Sequence, residues 1–249
     1  MENLDIQELL SPPSLSNCKK VLCVQPHPDD NEIGMGGIIA KLAANGCEIH
    51  YLTVTDGRLG DMGTDFSPDQ LAEVRQSEGE AAGRKLGASK FFWLHHKDGS
   101  LNDVPALASE IADVIRQEQY DTIFCPDPWL NYEAHYDHVV TGRACAQAAI
   151  SCSLKSYPEE TTTAPCQLNG VGFYFTAAPN VVEDITEFFD LKFEAIALHQ
   201  TQVDEATLQL YRTYFAMRGK QLTESDRIGE GLKMLRPLHL HCFPEAESL

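Results

Sequence analysis

Two short stretches hold residue types that do chemistry. The first is Pro26-His27-Pro28-Asp29-Asp30-Asn31-Glu32-Ile33-Gly34-Met35-Gly36-Gly37, which directly follows the apolar run Val21-Leu22-Cys23-Val24. A histidine and paired acids at a strand's carboxyl end occupy the place where open α/β sheets keep their ligands. His27 and Asp30 each offer a metal donor, imidazole N and carboxylate O. Asp29 could act on a water at such a metal without being a ligand. The competing reading is a tight strand-to-helix turn, with the glycines letting the backbone bend beneath the site. The second stretch, Asp127 to His138, ends in His135-Tyr136-Asp137-His138. Alone it could be a solvated loop or a cap for the helix that begins near Val139. With the first motif it completes a two-His, one-carboxylate set that leaves a position for water, the catalytic rather than structural zinc pattern.

The elements that must hold these motifs follow from periodicity. Strands are expected at Val21–Val24, Ile49–Val54, Phe91–Leu94 and Thr122–Cys125, with a further one at Phe173–Thr176. Helices are expected at Gly36–Ala44 with Gly46 at its end, Pro68–Leu86 with Gly87 after it, Pro105–Gln117, Val139–Ala149, Leu191–Ala197 and Ala206–Met217. This alternation predicts the α/β class: a Rossmann-like three-layer α/β/α arrangement around a mostly parallel sheet. Residues 151–169, rich in Ser, Thr and Pro, read as a surface loop or lid. A dinucleotide fingerprint fails, because no glycine stands at Ile38 or Ile39. The expected layout is an N-terminal extension over 1–18 and one domain over 19–249, whose C-terminal portion is helical and suited to oligomerisation.

Composition narrows the partners. The 249 residues include 19 basic and 37 acidic side chains, a net charge of −18. Such a field repels phosphate backbones, so no nucleic-acid partner is expected. No apolar run approaches the ~18 residues of a membrane span. Met1 to Asn17 lacks the basic and apolar regions of a secretory signal. The eight cysteines show no C-x-x-C spacing, and several sit in apolar runs, as reduced core thiols do. A cytoplasmic protein without disulfides is the expectation.

His-Pro-Asp-Asp-x-x-x-Gly-x-Gly-Gly followed by His-x-Asp-His resembles the LmbE-like, or PIG-L-like, zinc N-deacetylases, most of all their diacetylchitobiose deacetylase branch. The likeness runs from Val21 to about Pro244. It includes Thr55-Asp56-Gly57, Leu71-Ala72-Glu73-Val74-Arg75, Pro126-Asp127-Pro128-Trp129-Leu130, the His199-x-x-Gln202 segment and Gly229-Glu230-Gly231. The resemblance implies Zn²⁺ held by His27, Asp30 and His138, with Asp29 as general base. It implies that protonated His135 stabilises the oxyanion, while Asp137 orients His135 or His138. By the same resemblance Arg75 and Asp98 contact the sugar, and His241 reaches the active site of a neighbouring subunit in a hexamer, with His239 a competitor two residues away. Two departures stand out: Asn31 where many members carry Glu, and Glu133, beside Tyr132, where some carry tyrosine.

The implied reaction is hydrolysis of the acetamido group of N-acetylglucosamine or N,N′-diacetylchitobiose, a small acetylated amino sugar. A GlcNAc-inositol or GlcNAc-malate conjugate is the alternative substrate. A non-catalytic nucleotide- or metal-binding regulatory protein is the alternative from another class. Several residues have plainer readings. Arg75 could pair with Glu73 or Glu78 on its own helix, and Asp98-Gly99 could be only a turn. Trp93 and Trp129 read as core, and His50, His95, His96 and His199 as structural or solvated.

Overall fold

The computed structural model describes residues 10–249. Seven strands form one sheet: β1 (Lys20–Gln25), β2 (Glu48–Thr55), β3 (Ala88–His96), β4 (Thr122–Pro126), β5 (Gly170–Tyr174), β6 (Val181–Asp184) and β7 (Gly229–Leu235). Their order is β3-β2-β1-β4-β5-β7-β6. The first five run parallel. β7 lies antiparallel to both β5 and β6, which leaves the sheet mostly parallel.

Alternate side chains of β1 serve opposite faces. Val21 and Cys23 join a core with Ile38, Ile39, Ala82, Leu86 and Phe193. Leu22 and Val24 join the other, with Ala108, Ile111, Val140 and Ala144. Helices α1 (Asp30–Ala44), α2 (Pro68–Leu86) and α5 (Phe189–Ile196) cover the first face, and α3 (Val104–Glu118) and α4 (Tyr136–Ser151) the second. The expected three layers are present. Helix α6 (Glu205–Thr223) leans on the first face near its C-terminal edge, with much of its length in solvent. The chain that precedes β1 is not loose where it is described: Leu15 and Cys18 are buried in the first core.

Local chemistry sets the boundaries. Ser67 and Gln70 cap α2 reciprocally behind Pro68, and Gly87 closes it in the left-handed region, which matches the expected range. Helix α1 differs from expectation by starting six residues early. It breaks at Met35 (φ −149°, ψ 27°) and resumes. Its glycines serve close packing rather than a turn: a Cβ on Gly34 would lie 2.4 Å from the Tyr174 ring. Two side chains repair the break. Glu230 accepts hydrogen bonds from the Gly37 and Ile38 N–H groups (3.2 and 2.8 Å). Lys192 Nζ donates to the Ile33 carbonyl (2.8 Å) and pairs with Glu230 (2.6 Å). β7 went unread because Glu230 and Lys233 interrupt its apolar pattern, yet both are buried against partners.

Residues 151–169 form no lid. Arg116, buried at the end of α3, donates to the carbonyls of Cys152 (3.4 Å) and Leu154 (2.7 Å) and to Thr163 Oγ1 (3.0 Å). That anchors the segment at the sheet's amino edge, away from both motifs.

Candidate active site

The sheet's carboxyl edge gathers the two motifs. β1 ends into His27, Asp29 and Asp30, and the turn after β4 delivers His135 and His138 at the start of α4. The His27, His135 and His138 rings lie with centroids 4.3–5.3 Å apart. Asp30 bridges two of them: Oδ2 is 3.3 Å from His27 Nδ1, and Oδ1 is 3.3 Å from His138 Nε2. Donors at about 2.0–2.1 Å from a tetrahedral zinc are separated by roughly this distance.

The outer nitrogens of both histidines also face carboxylates. His27 Nε2 lies 3.2 Å from Asp98 Oδ1 and 3.4 Å from Asp137 Oδ2, and His138 Nδ1 lies 3.7 Å from Glu133 Oε2. A ligating histidine normally turns its second nitrogen to such a group, which fixes tautomer and ring orientation. The cluster of His27, Asp98 and Asp137 could itself be taken for a metal site. Those carboxylates already accept backbone N–H groups, however, from Leu59 at Asp98 and from Gly99 and Leu101 at Asp137. Asp98 and Asp137 thus flank His27 Nε2, while Asp30 Oδ2 faces its Nδ1 at 3.3 Å. Asp137 therefore faces His27 and not His135 or His138, because the Gly99 and Leu101 amides pull its carboxylate toward the β3–α3 connection.

Charge in the site points to a cation. Burial opposes protonation of His27, but the facing carboxylates of Asp137, Asp30 and Asp98 outweigh it and push its pKa up to about 12. Burial alone would raise Asp30, yet the facing imidazoles of His138 and His27 hold it well below the usual carboxylate range. Several acids thus surround imidazoles with no lysine among them. A divalent metal can meet this demand as well as a proton, and the donor set of two imidazoles and a carboxylate fits one.

Asp29 stands beside this set without joining it. Its backbone is in a strained left-handed conformation for a non-glycine residue (φ 133°). Arg75 holds it there: Nη2 donates to the Pro28 carbonyl (2.9 Å) and Asp29 Oδ2 (3.2 Å), and Nη1 to the Gly57 carbonyl (2.7 Å). Burial raises the pKa of Asp29, Arg75 lowers it and Asp30 raises it, leaving it at about 6. Arg75 is buried and makes no pair with Glu73 or Glu78. Glu78 instead accepts from Thr201 (3.0 and 2.7 Å). His135 is open to solvent. Burial and the nearby His27 and His138 imidazoles lower its pKa.

Arg75, Asp98 and His135 border one cleft with His27, Asp29 and His138. His241 stands apart from that cleft, exposed, with its Nε2 3.4 Å from Cys242 Sγ. His239 is buried and accepts from the Arg236 N–H (3.2 Å), which leaves His241 as the outward-facing histidine. His199 is wholly buried against Glu32 (3.4 Å), so it is structural and not solvated. Sequence reasoning left Glu133 without a role. Its Oε1 accepts the His135 N–H (2.7 Å), and only its place two residues before His135 hinted at this. Phe175 and Tyr211 were missed, since neither stands in a motif.

Fold and site together define an α/β protein whose cleft gathers imidazole and carboxylate donors that fit a divalent metal. Residues 22–149, just over half the chain, match the PIG-L family, described as GlcNAc-PI de-N-acetylase. The chain is 34% identical over 241 residues to the diacetylchitobiose deacetylase of Thermococcus kodakarensis, covering 94% of this chain and 90% of that protein. Its fold matches the solved N,N′-diacetylchitobiose deacetylase of Pyrococcus horikoshii with a TM-score of 0.91 at 31% identity, over 100% of both chains. A more distant relative is the probable N-acetyl-α-D-glucosaminyl L-malate deacetylase 2 of Bacillus cereus, 27% identical over 75% of this chain and 84% of that protein. The chain belongs to the PIG-L family.

Proposed function

We propose that this protein is a zinc-dependent deacetylase that hydrolyses the acetamido group of N-acetylglucosamine or N,N′-diacetylchitobiose, releasing acetate and a free amine. The observation that carries the reading is Asp29: a carboxylate fixed by Arg75 beside the His27–Asp30–His138 donor set but outside it. A zinc ion held by those three residues would polarise the amide carbonyl and lower the pKa of water from ~15.7 toward about 7. Asp29 accepts the proton of the attacking water and returns it to the departing nitrogen, so one carboxylate serves both steps. His135 offers a ring N–H to the developing oxyanion, a contact worth about 3–4 kcal/mol in such sites. Asp98 and Asp137 face the outer nitrogen of His27, Glu133 lies 3.7 Å from that of His138, and Glu133 also accepts the His135 N–H. The edge of the cleft at Arg75 and Asp98 is where the sugar hydroxyls would be read.

The diacetylchitobiose relatives match nearly the whole chain, whereas the malate-linked relative matches less of it at lower identity, which favours the free or β-linked sugar. Among the described residues no helix is long and apolar enough to cross a membrane. We place the protein in the cytoplasm as a single domain over 19–249, assembled into a homohexamer in which His241 borders a neighbour's cleft. The test is free-amine release from both sugars by zinc-loaded protein, with Asp29→Asn as control. Release that disappears in the variant supports the assignment. Equal release by the variant removes Asp29 from its role, and no release from either sugar transfers the substrate to an inositol- or malate-linked GlcNAc.

A further inference from the structure

The catalytic cleft does not end at the donor set. A second cavity of about 480 Å³ opens beside it, and Asp30, Ile33, His138 and Tyr211 border both. Its walls are mainly apolar: Phe175, Phe189, Tyr214, Phe215, Leu222 and Ile228. The charged groups that reach it are already engaged. Lys192 is bonded to Glu230 and the Ile33 carbonyl and lies under the Phe215 ring, with Nζ 4.2 Å from its centroid. Arg218 donates to the Thr176 carbonyl (3.0 Å). Phe175 is held at φ 56°, a strained backbone for a bulky residue, with its ring stacked on His138 at 6.0 Å and 22°. Strain of this kind gathers at ligand clamps.

The two spaces lie on opposite sides of Asp30 and His138. The polar cleft, with Arg75 and Asp98, sits over the β1–β2–β3 side, and the apolar cavity over β5 and β7. A secondary amide is planar and trans, so its nitrogen substituent and its acyl chain extend in opposite directions from the carbonyl. A sugar bound through C2 at Arg75 and Asp98 therefore directs its acyl group away from them, into the cavity. The substituent at C1 is adjacent to C2 and stays on the sugar's side. An acetyl methyl occupies only about the ~30 Å³ share of one water, a small part of the space.

We propose that this cavity is an acyl-chain subsite, and that the protein also hydrolyses N-acyl glucosamines with chains longer than acetyl, from about butyryl to hexanoyl. This rests on the deacetylase reading of the cleft and extends it. Hydrolysis adds the water oxygen to the acyl carbon, breaks the C–N bond and sends a proton to the amine nitrogen, so the longer chain leaves as its carboxylate.

The experiment compares glucosamine release from N-acetyl-, N-butyryl- and N-hexanoyl-glucosamine, together with direct calorimetric binding of the same three compounds. Each methylene that enters the cavity should raise kcat/KM about fourfold. Leu222 lines the cavity but not the cleft, so Leu222→Trp should lower the hexanoyl-to-acetyl ratio at least about tenfold, in turnover and in binding. Tyr214→Trp serves as the second filling variant should the first fail to fold. Butyryl and hexanoyl substrates about tenfold or more worse than acetyl would overturn the proposal. So would a filled cavity that weakens diacetylchitobiose relative to N-acetylglucosamine, since a second sugar would then be the occupant. Failure of every substrate, with hexanoyl still bound more tightly than acetyl in the wild type alone, would sink the catalytic reading and leave the subsite standing.

Discussion

His27 and His50 lie at opposite ends of adjacent parallel strands, both buried and both facing acids, yet their charges go opposite ways. At the amino edge, His50 Nε2 is 2.7 Å from Glu48, and Nδ1 is bonded to the Tyr120 hydroxyl at 2.8 Å. Burial lowers its pKa; Glu48 and Glu118 raise it, Lys20 and Lys90 offset part of that rise, and burial decides the net fall. Those lysines already balance the acids, Lys20 at 3.0 Å and Lys90 at 2.5 Å from Glu118. At the carboxyl edge His27 faces Asp30, Asp98 and Asp137 with no lysine among them. What separates a structural histidine from a metal-ready one is therefore not the presence of carboxylates. It is whether burial or the facing carboxylates prevail: burial prevails at His50, the carboxylates at His27.

Asp29→Asn bears hardest on the carboxyl edge. It should lower kcat by about 10²–10⁴-fold with metal content by elemental analysis unchanged. Loss of the metal instead would mean that Asp29 belongs to the donor set. Asp137→Asn comes next, since it relaxes the hold on His27. Metal affinity, read by competition with a chelator, should fall about 10–100-fold, and an unchanged affinity would reassign the supporting side of the ring.

The pH dependence gives a smaller effect. Asp29 works deprotonated, and its pKa is about 6, so kcat/KM should fall as pH drops through that value. Arg75 lowers this pKa, so Arg75→Met should move the acid limb to higher pH, and a shift to lower pH would refute the pairing. The smallest effect belongs to the amino edge. His50→Gln should cost about 1–3 kcal/mol of stability by thermal denaturation while turnover stays at the wild-type level. Loss of metal in this variant would break the comparison.

The sequence made the catalytic centre legible because its residues are contiguous and follow strands. His27, Asp29, Asp30, His135, Asp137 and His138 come from two short motifs, and the parallel pairing of β1 with β4 brings those motifs together. The five parallel strands and α2 were readable for the same local reason: apolar period, Pro68 at the start and Gly87 at the end. What escaped reading depends on distant partners. The direction of Asp137 is set by amides of the β3–α3 connection, and the lowered pKa of His135 by burial and two neighbouring imidazoles. Glu230 was unreadable as part of a strand because its partner, Lys192, lies 38 residues away. The apolar cavity had no signature at all, since its walls come from β5, α5, α6 and the approach to β7.

The break in α1 has a consequence for how the chain is made. Asp30 sits on the short segment before Met35, and the amides and carbonyl left open by that break are closed by Lys192 and Glu230. All six motif residues leave the ribosome before Lys192 and well before Glu230. A nascent chain that has completed both motifs still lacks the groups that close the break at Met35. Asp30 Oδ2 already accepts the His27 N–H inside the first motif (2.9 Å), whereas the groups opened by the break behind it wait for residues that are made later.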